Sequence, residues 1–361
     1  MIRFLDLKAI HATIADELAE AAQRVVASGW YVLGPEVEAF EAEWAAYVGA
    51  AHCVSVGNGL DALSLSLRAS GVGPGDEVVV PSHTFVATWL AVAAVGAVPV
   101  PVEVDPDTYN LSAATLADSF TTRTRAVVPV HLYGQPFDSA AIGAVCDAHG
   151  VAVVEDAAQA HGARFAGVRV GGQGRTACWS FYPGKNLGAL GDAGAVTTDD
   201  ADLARSLRLL RNYGSSRKYI HEQAGVNSRL DEIQAALLRV KLRHLDAWNE
   251  HRAAVAKTYA AGLADAVGTP SVPAGADPVW HLYVVRSPDR DALAARLAER
   301  GVETLVHYPT PPHRQAAFAA LGYDLPVADR LAAEVLSLPI GPHVDEAAAA
   351  EVVAAVLAAT A

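Results

Sequence analysis

Cysteine, aromatic side chains and positive charge are all scarce in this sequence, and each scarcity removes a class of protein. The three cysteines, Cys53, Cys146 and Cys178, are an odd number with neither metal-ligand nor CxxC spacing. That argues against a disulfide framework or a bound metal and for a reducing compartment, so they read as ordinary buried thiols. Lys and Arg number 27 against 40 Asp and Glu, giving a net charge of −13 with no long basic block. No nucleic-acid footprint is present, and any anionic ligand must be held locally. Aromatic residues make up 7% of the chain, so packing leans on Ala, Val and Leu. Asp6, Lys8 and His11 leave no apolar run for a signal peptide near Met1, and the expected location is cytoplasmic. The uncharged stretch from Phe85 to Val102 is divided by Gly96, Pro99 and Pro101. It reads as a helix ending near Gly96 and an apolar strand, not as a membrane span.

A chain of 361 residues, 52% hydrophobic, exceeds the size at which one core stops growing, so two domains are expected. From about Ala51 to Asp199 short apolar runs alternate with helical patterns: Cys53–Val56, Glu77–Val80, Val98–Val104, Ala126–His131, Val151–Glu155, Cys178–Phe181 and Ala193–Thr198. That rhythm predicts an α/β fold with a mostly parallel sheet covered on both faces, and ligands at the carboxyl ends of its strands. A long amphipathic helix is expected from Leu230 to about Ala261, with strand-like pieces near Leu282–Arg286 and Thr304–His307. Ala-rich helices follow, including Ala347–Ala358. The expected division is a large domain over residues 1–245 and a smaller C-terminal α/β domain over 246–361, with Val267–Pro278 a loop inside the latter.

The reactive residues fall where the strands should end. Asp156 follows Val151-Ala152-Val153-Val154-Glu155, and a carboxylate there is costly without a cationic partner; the alternative is a helix N-cap on Ala157 onward. Lys185 sits in Ser180-Phe181-Tyr182-Pro183-Gly184-Lys185-Asn186, among small and apolar residues. A lysine on such a loop can reach a cavity, lose its proton by desolvation and condense with an aldehyde; the alternative is a surface lysine. Ser180 can donate to a phosphate. Gly57-Asn58-Gly59 precedes a helical pattern from Leu60 to Arg68, which makes either a phosphate seat or only a capped turn. Gly171-Gly172-Gln173-Gly174 lacks the context of a nucleotide loop, and no G-x-G-x-x-G follows the first strand, which leaves a dehydrogenase remote.

Together these residues resemble the DegT/DnrJ/EryC1/StrS sugar aminotransferases, of the aspartate-aminotransferase-like, fold type I group of pyridoxal-phosphate enzymes. The resemblance runs from Phe4-Leu5-Asp6-Leu7 to Tyr308-Pro309 and His313. It is most specific in Glu155–Gly162, Ser180–Gly194 and Asn227-Ser228-Arg229-Leu230 with Gln234-Ala235-Ala236. It implies a large domain with a seven-stranded sheet and a Schiff base between Lys185 and pyridoxal 5'-phosphate, with pyridoxamine phosphate as the intermediate form. Asp156 would pair with the pyridinium and Gln159 would sit by the ring's phenolic oxygen. Asn58, Gly59 and Ser180 would bind the phosphate, and Phe85 would stack on the ring. It also implies a homodimer with shared sites, in which Asn227 reaches the partner's phosphate. Ser180-Phe181-Tyr182-Pro183 and Gly191-Asp192-Ala193 look like the branch that aminates dTDP-linked 3-keto-6-deoxyhexoses with L-glutamate, with Tyr182, His307, Tyr308 and His313 contacting the hexose. Ala193 departs from the glycine of many relatives. The donor-carboxylate arginine is left between Arg229 and Arg217. Competing readings are a 4-keto-sugar or cyclitol aminotransferase and a non-catalytic regulator; dehydrating relatives carry histidine in place of Lys185.

Overall fold

The computed structural model describes residues 1–172 and 175–360; of the Gly171–Gly174 stretch, Gln173 and Gly174 lie outside them. Seven strands form the main sheet: β1 (His52–Val56), β2 (Glu77–Pro81), β3 (Val98–Val102), β4 (Thr124–Val127), β5 (Ala152–Asp156), β6 (Thr176–Ser180) and β7 (Gly194–Thr198). Their order is β1-β7-β6-β5-β4-β2-β3. All neighbours are parallel except β7, which runs against both β1 and β6. Each strand falls on one of the apolar runs of the sequence. Strand β2 is buried along its whole length, as a strand covered on both faces must be. The prolines of Val98-Pro99-Val100-Pro101-Val102 are tolerated because β3 is the sheet edge, where missing N–H groups leave no neighbour unpaired.

The uncharged stretch resolves into a helix, Ala87–Ala94, and strand β3. Among the described residues no helix is long and apolar enough to cross a membrane. All three cysteines are free and buried.

Other expectations need correction. The long helix is two, Glu232–Leu242 and Leu245–Leu263, because its apolar face changes partner. Ala236, Leu237 and Val240 pack on Ile14, Leu18 and Val25, whereas Val255, Ala256, Tyr259 and Leu263 belong to a second core. At the break, Glu17 accepts from Arg243 at 2.7 Å and lies 3.0 Å from His244 Nε2. The second core holds a two-stranded antiparallel sheet of β8 (Tyr283–Arg286) and β9 (Val335–Leu338). Thr304–His307 is not a strand and contributes only a bridge from Leu305 to Ser337. The true partner was hidden because Val335 directly follows the helix Pro326–Glu334. The Ala-rich helix runs from Glu346 to Thr360. Val267–Pro278 is not wholly loop, since Ala276 and Asp277 pair with Phe165 and Arg164 of a hairpin near the main sheet. At the N-terminus Ile2 bridges Val302 and packs on the second core.

Glu232 links the helix Glu232–Leu242 to the helix Pro35–Val48. Its buried carboxylate accepts from the amides of Gly34 (2.8 Å), Glu36 (2.9 Å) and Val37 (2.9 Å), which are donors that the first helical turn cannot satisfy. Glu232→Ala would strand three amides, and the expected loss is about 2–4 kcal/mol. Urea unfolding checks this; an unchanged midpoint would contradict the capping role.

Candidate active site

Segments leaving β1, β2, β5 and β6 converge on one cavity of about 660 Å³, whose wall includes Asn58, Gly59, Phe85, Asp156, Gln159, Ser180 and Lys185. The opposite contribution comes from the second core and its approaches, through Arg252, His281, His307 and Tyr308. A parallel sheet opens such a crevice at its carboxyl ends.

Asp156 is the last residue of β5, and no helix follows it, so the N-cap alternative is set aside. Its Oδ2 accepts from Thr88 Oγ1 at 2.9 Å and its Oδ1 from the Ala158 amide at 3.2 Å. Burial pushes its pKa above the usual carboxylate range, against the opposing pull of Thr88, Ala158, Lys185 and His131. A buried acid of this kind gains by pairing with a cation brought into the cavity.

Lys185 is carried by the loop between β6 and β7. The Lys185 amide donates to Tyr182 O at 2.8 Å and the Ala189 amide to Phe181 O at 2.8 Å. Asn186 Nδ2 donates to Asn249 Oδ1 and Val279 O, both at 2.9 Å. Gly188 is required by close approach, since a Cβ there would lie 2.4 Å from Pro183 O. These contacts fix the loop, and the half-buried Lys185 lines the cavity instead of projecting from the surface. Burial lowers the Lys185 pKa to about 8, although the Asp156 carboxylate works to raise it.

The third feature is a capped helix start that lines the cavity. Asn58 caps the helix Gly59–Ala69, accepting from the Asp61 amide at 2.8 Å and donating to Asp61 Oδ2 at 3.1 Å. Ser228 Oγ joins this cap, donating to Asp61 Oδ2 at 2.6 Å and accepting from the Gly57 amide at 2.9 Å. The Asn58 side chain is thus committed to the cap, which leaves the first-turn amides and Ser180 Oγ as donors for an anion. A Cβ on Gly59 would lie 2.6 Å from Ser180 Cβ, so glycine keeps that cradle open.

Gln159 Oε1 accepts from the Tyr133 amide at 2.6 Å, and its Nε2 donates to Tyr308 Oη at 3.0 Å. Phe85 is 52% exposed and faces Tyr308 with ring centroids 5.2 Å apart. His307 lines the cavity with Nδ1 2.8 Å from Ser337 Oγ; burial, and then Lys185, lower its pKa to about 4. Tyr182 is exposed at the rim. Two of the expected site residues lie outside the cavity, of which only His313 was expected in it, Asn227 being expected at the partner's site. His313 is buried away from the cavity, 3.2 Å from Asp329, and Asn227 is exposed outside it. Thr88, Asn186, Arg252 and His281 were not anticipated; nothing in their local sequence marks them, since each comes from a helix or loop whose position depends on the tertiary fold.

A desolvated lysine and a buried acid in one cavity, with a capped helix start beside them on an α/β sheet, define the architecture of a fold type I pyridoxal-phosphate enzyme. The chain's residues 12–357 match the model of the DegT/DnrJ/EryC1/StrS aminotransferase family. It is 57% identical over 358 residues to the "erythromycin biosynthesis sensory transduction protein EryC1" of Saccharopolyspora erythraea, covering 98% of each chain. It is 53% identical over 360 residues to the dTDP-3-amino-3,4,6-trideoxy-alpha-D-glucose transaminase of Streptomyces venezuelae, covering 98% of this chain and 95% of the relative. The solved structure of S. venezuelae DesV in complex with a ketimine intermediate superposes with a TM-score of 0.97 at 53% identity, covering 98% of this chain and 97% of that one. The protein belongs to the DegT/DnrJ/EryC1/StrS aminotransferase family.

The lowered pKa of Lys185 sets a pH dependence. Between its folded value of about 8 and the ordinary 10.5, the unfolded chain binds more protons at this lysine than the folded one. Its contribution to stability therefore rises with pH across that window, and the neutral, nucleophilic amine accumulates at lower pH than in a free lysine. Cofactor-free protein should condense with pyridoxal phosphate at a rate that rises up to about pH 8 and then levels, as followed by absorbance. A rise continuing to pH 10 would contradict the assignment.

Proposed function

We propose that this protein uses pyridoxal 5'-phosphate, with pyridoxamine phosphate as the alternate form, to place an amino group on the C3 carbonyl of a dTDP-linked 3-keto-6-deoxyhexose, with L-glutamate as donor. The observation that carries the amino-transfer reading is the pairing of Lys185 and Asp156 in one cavity, with the pKa of each displaced toward its neutral form. The sugar and its regiochemistry rest on the named activity of the S. venezuelae relative.

When bound, the cofactor supplies an aldehyde that exchanges amino groups and a ring that accepts electron density. The residues present fit it. Asp156 would hold the ring nitrogen protonated, and the incoming cation would restore the ionised carboxylate that burial disfavours. The first-turn amides of the helix Gly59–Ala69 and Ser180 would hold the phosphate. Gln159, tied to Tyr308 and to the Tyr133 amide, would sit by the phenolic oxygen, and Phe85 would cover the ring face. Lys185 Nζ would tether the cofactor, then take the proton from the donor's α-carbon once displaced, and later return a proton to C3 of the sugar. Tyr182, His307 and Tyr308 would bound the hexose, with His307 as a neutral hydrogen-bonding group.

We further propose a homodimer in which Asn227 completes the partner's phosphate site, in keeping with its exposed position outside its own chain's cavity. Mixing Lys185→Ala with Asn227→Ala protein should restore activity above that of either alone; absence of rescue would count against shared sites.

The name of the S. erythraea relative supports a second reading, a sensory protein of the same fold. One assay separates them. Purified enzyme is given L-glutamate with dTDP-linked 3-keto and 4-keto hexoses, and the product is read by NMR. Amination at C3 is expected; amination at C4 would overturn the regiochemistry, and no amination of either would favour the sensory reading.

A further inference from the structure

One cation of the cavity wall has no part in the scheme above. Arg252 projects from the helix Leu245–Leu263 and lines the cavity, yet it is only 4% exposed. Lys185 and Arg252 are the only Lys or Arg in that lining among the described residues. The three hydrogen bonds of Arg252 all use Nη1, which donates to the carbonyl oxygens of Trp280 (3.2 Å), His281 (3.4 Å) and Ile340 (3.1 Å). Carbonyl oxygens orient a guanidinium without neutralising it, and a buried cation ordinarily has an acid beside it. Here Nε is buried with no acceptor among the described residues. Burial lowers the pKa to about 10 with no acidic group opposing the shift. The edge formed by Nε and Nη2, which can grip a carboxylate with two parallel bonds, is therefore left without an acidic partner.

The position suits the chemistry. Arg252 holds the His281 carbonyl, while His281 Nδ1 lies 3.1 Å from Oδ1 of Asn186, the residue that follows Lys185. His281 and His307 are held neutral, chiefly by burial, so neither competes as a cation. An amino donor must bring its α-carbon to the Lys185 amine, and it arrives with at least one carboxylate that needs a counter-charge in a desolvated site.

We infer that Arg252 is the seat for a carboxylate of the amino donor, and of the keto acid that leaves after transfer; the inference rests on the amino-transfer reading. Arg217 and Arg229 do not line this cavity in their own chain. Arg229 instead donates to Asn212 at 3.2 Å and lies over the Tyr213 ring at 5.6 Å.

The test uses the cofactor-loaded enzyme and glutarate, a dicarboxylate with no amine to react. Calorimetry should show glutarate binding to the unaltered enzyme. Arg252→Lys and Arg252→Met should weaken that binding at least about thirtyfold and raise the KM for L-glutamate in proportion, on the order expected for losing one partner of a buried charge-assisted pair. The KM for the nucleotide sugar should stay within about threefold. Glutarate affinity within twofold of the unaltered enzyme would overturn the assignment. So would a rise confined to the nucleotide sugar, which would make Arg252 a phosphate-binding residue instead. Because Arg252 also braces three carbonyls, a crystal of the unaltered holoenzyme grown with glutarate provides a second measurement free of folding defects. A carboxylate within hydrogen-bond distance of the Arg252 guanidinium supports the seat, and glutarate elsewhere or not bound refutes it. If the unaltered enzyme takes no amino group from any amino acid, the amino-transfer reading itself fails; transfer with donor constants unmoved in both variants sinks only the carboxylate seat.

Discussion

Desolvation of a lysine amine and a carboxylic acid within one cavity is the constraint around which this molecule is organised. In water both groups would be charged; here burial favours the neutral form of each, drawing the Lys185 pKa down to about 8 and the Asp156 pKa upward. Neither displacement survives if the cavity floods or the loop moves. The rest of the architecture holds the loop and the acid in place. The parallel strands deliver Asp156 to the end of β5, Thr88 steadies its Oδ2, and Asn186 pins the lysine loop to Asn249 and Val279.

The same logic explains why the two cores meet where they do. The main sheet supplies the acid, the amine and the capped helix start beside them, but it leaves the crevice open at the carboxyl ends of its strands. Residues that approach from the second core, His281, His307 and Arg252, complete the wall. Burial holds the two histidines neutral, so the positive charge there is concentrated on a guanidinium. The wall is thus apolar enough to lower the lysine pKa while keeping one guanidinium.

Much of this was legible in the sequence because it depends on short-range pattern. The seven apolar runs became the seven strands, since buried parallel strands are continuous and bounded by turns. Asp156 and Lys185 stood out because a charge at the end of such a run is costly. Gly57-Asn58-Gly59 could be read as an anion seat or a capped turn; the cap is present, and its first-turn amides open on the cavity that Asn58 and Gly59 line. What escaped depends on contacts distant in sequence. Thr88 and Arg252 sit in helices whose faces are set only by packing, and strand β9 was masked by the helix running into it. The break at Arg243 and His244 was invisible because amphipathic periodicity continues across it while the partner changes. His313 carries ring chemistry that suits a sugar site, yet the turn Pro312–Arg314 buries it against Asp329.

In the proposed reaction Lys185 is the amine that carries the cofactor and yields it to the donor. Borohydride reduction of the pyridoxal-phosphate-loaded protein, followed by peptide mapping, measures this directly. The label should appear on the peptide containing Lys185 and should disappear when excess L-glutamate is added before reduction. A label on another lysine, or one that glutamate leaves unchanged, would contradict the account.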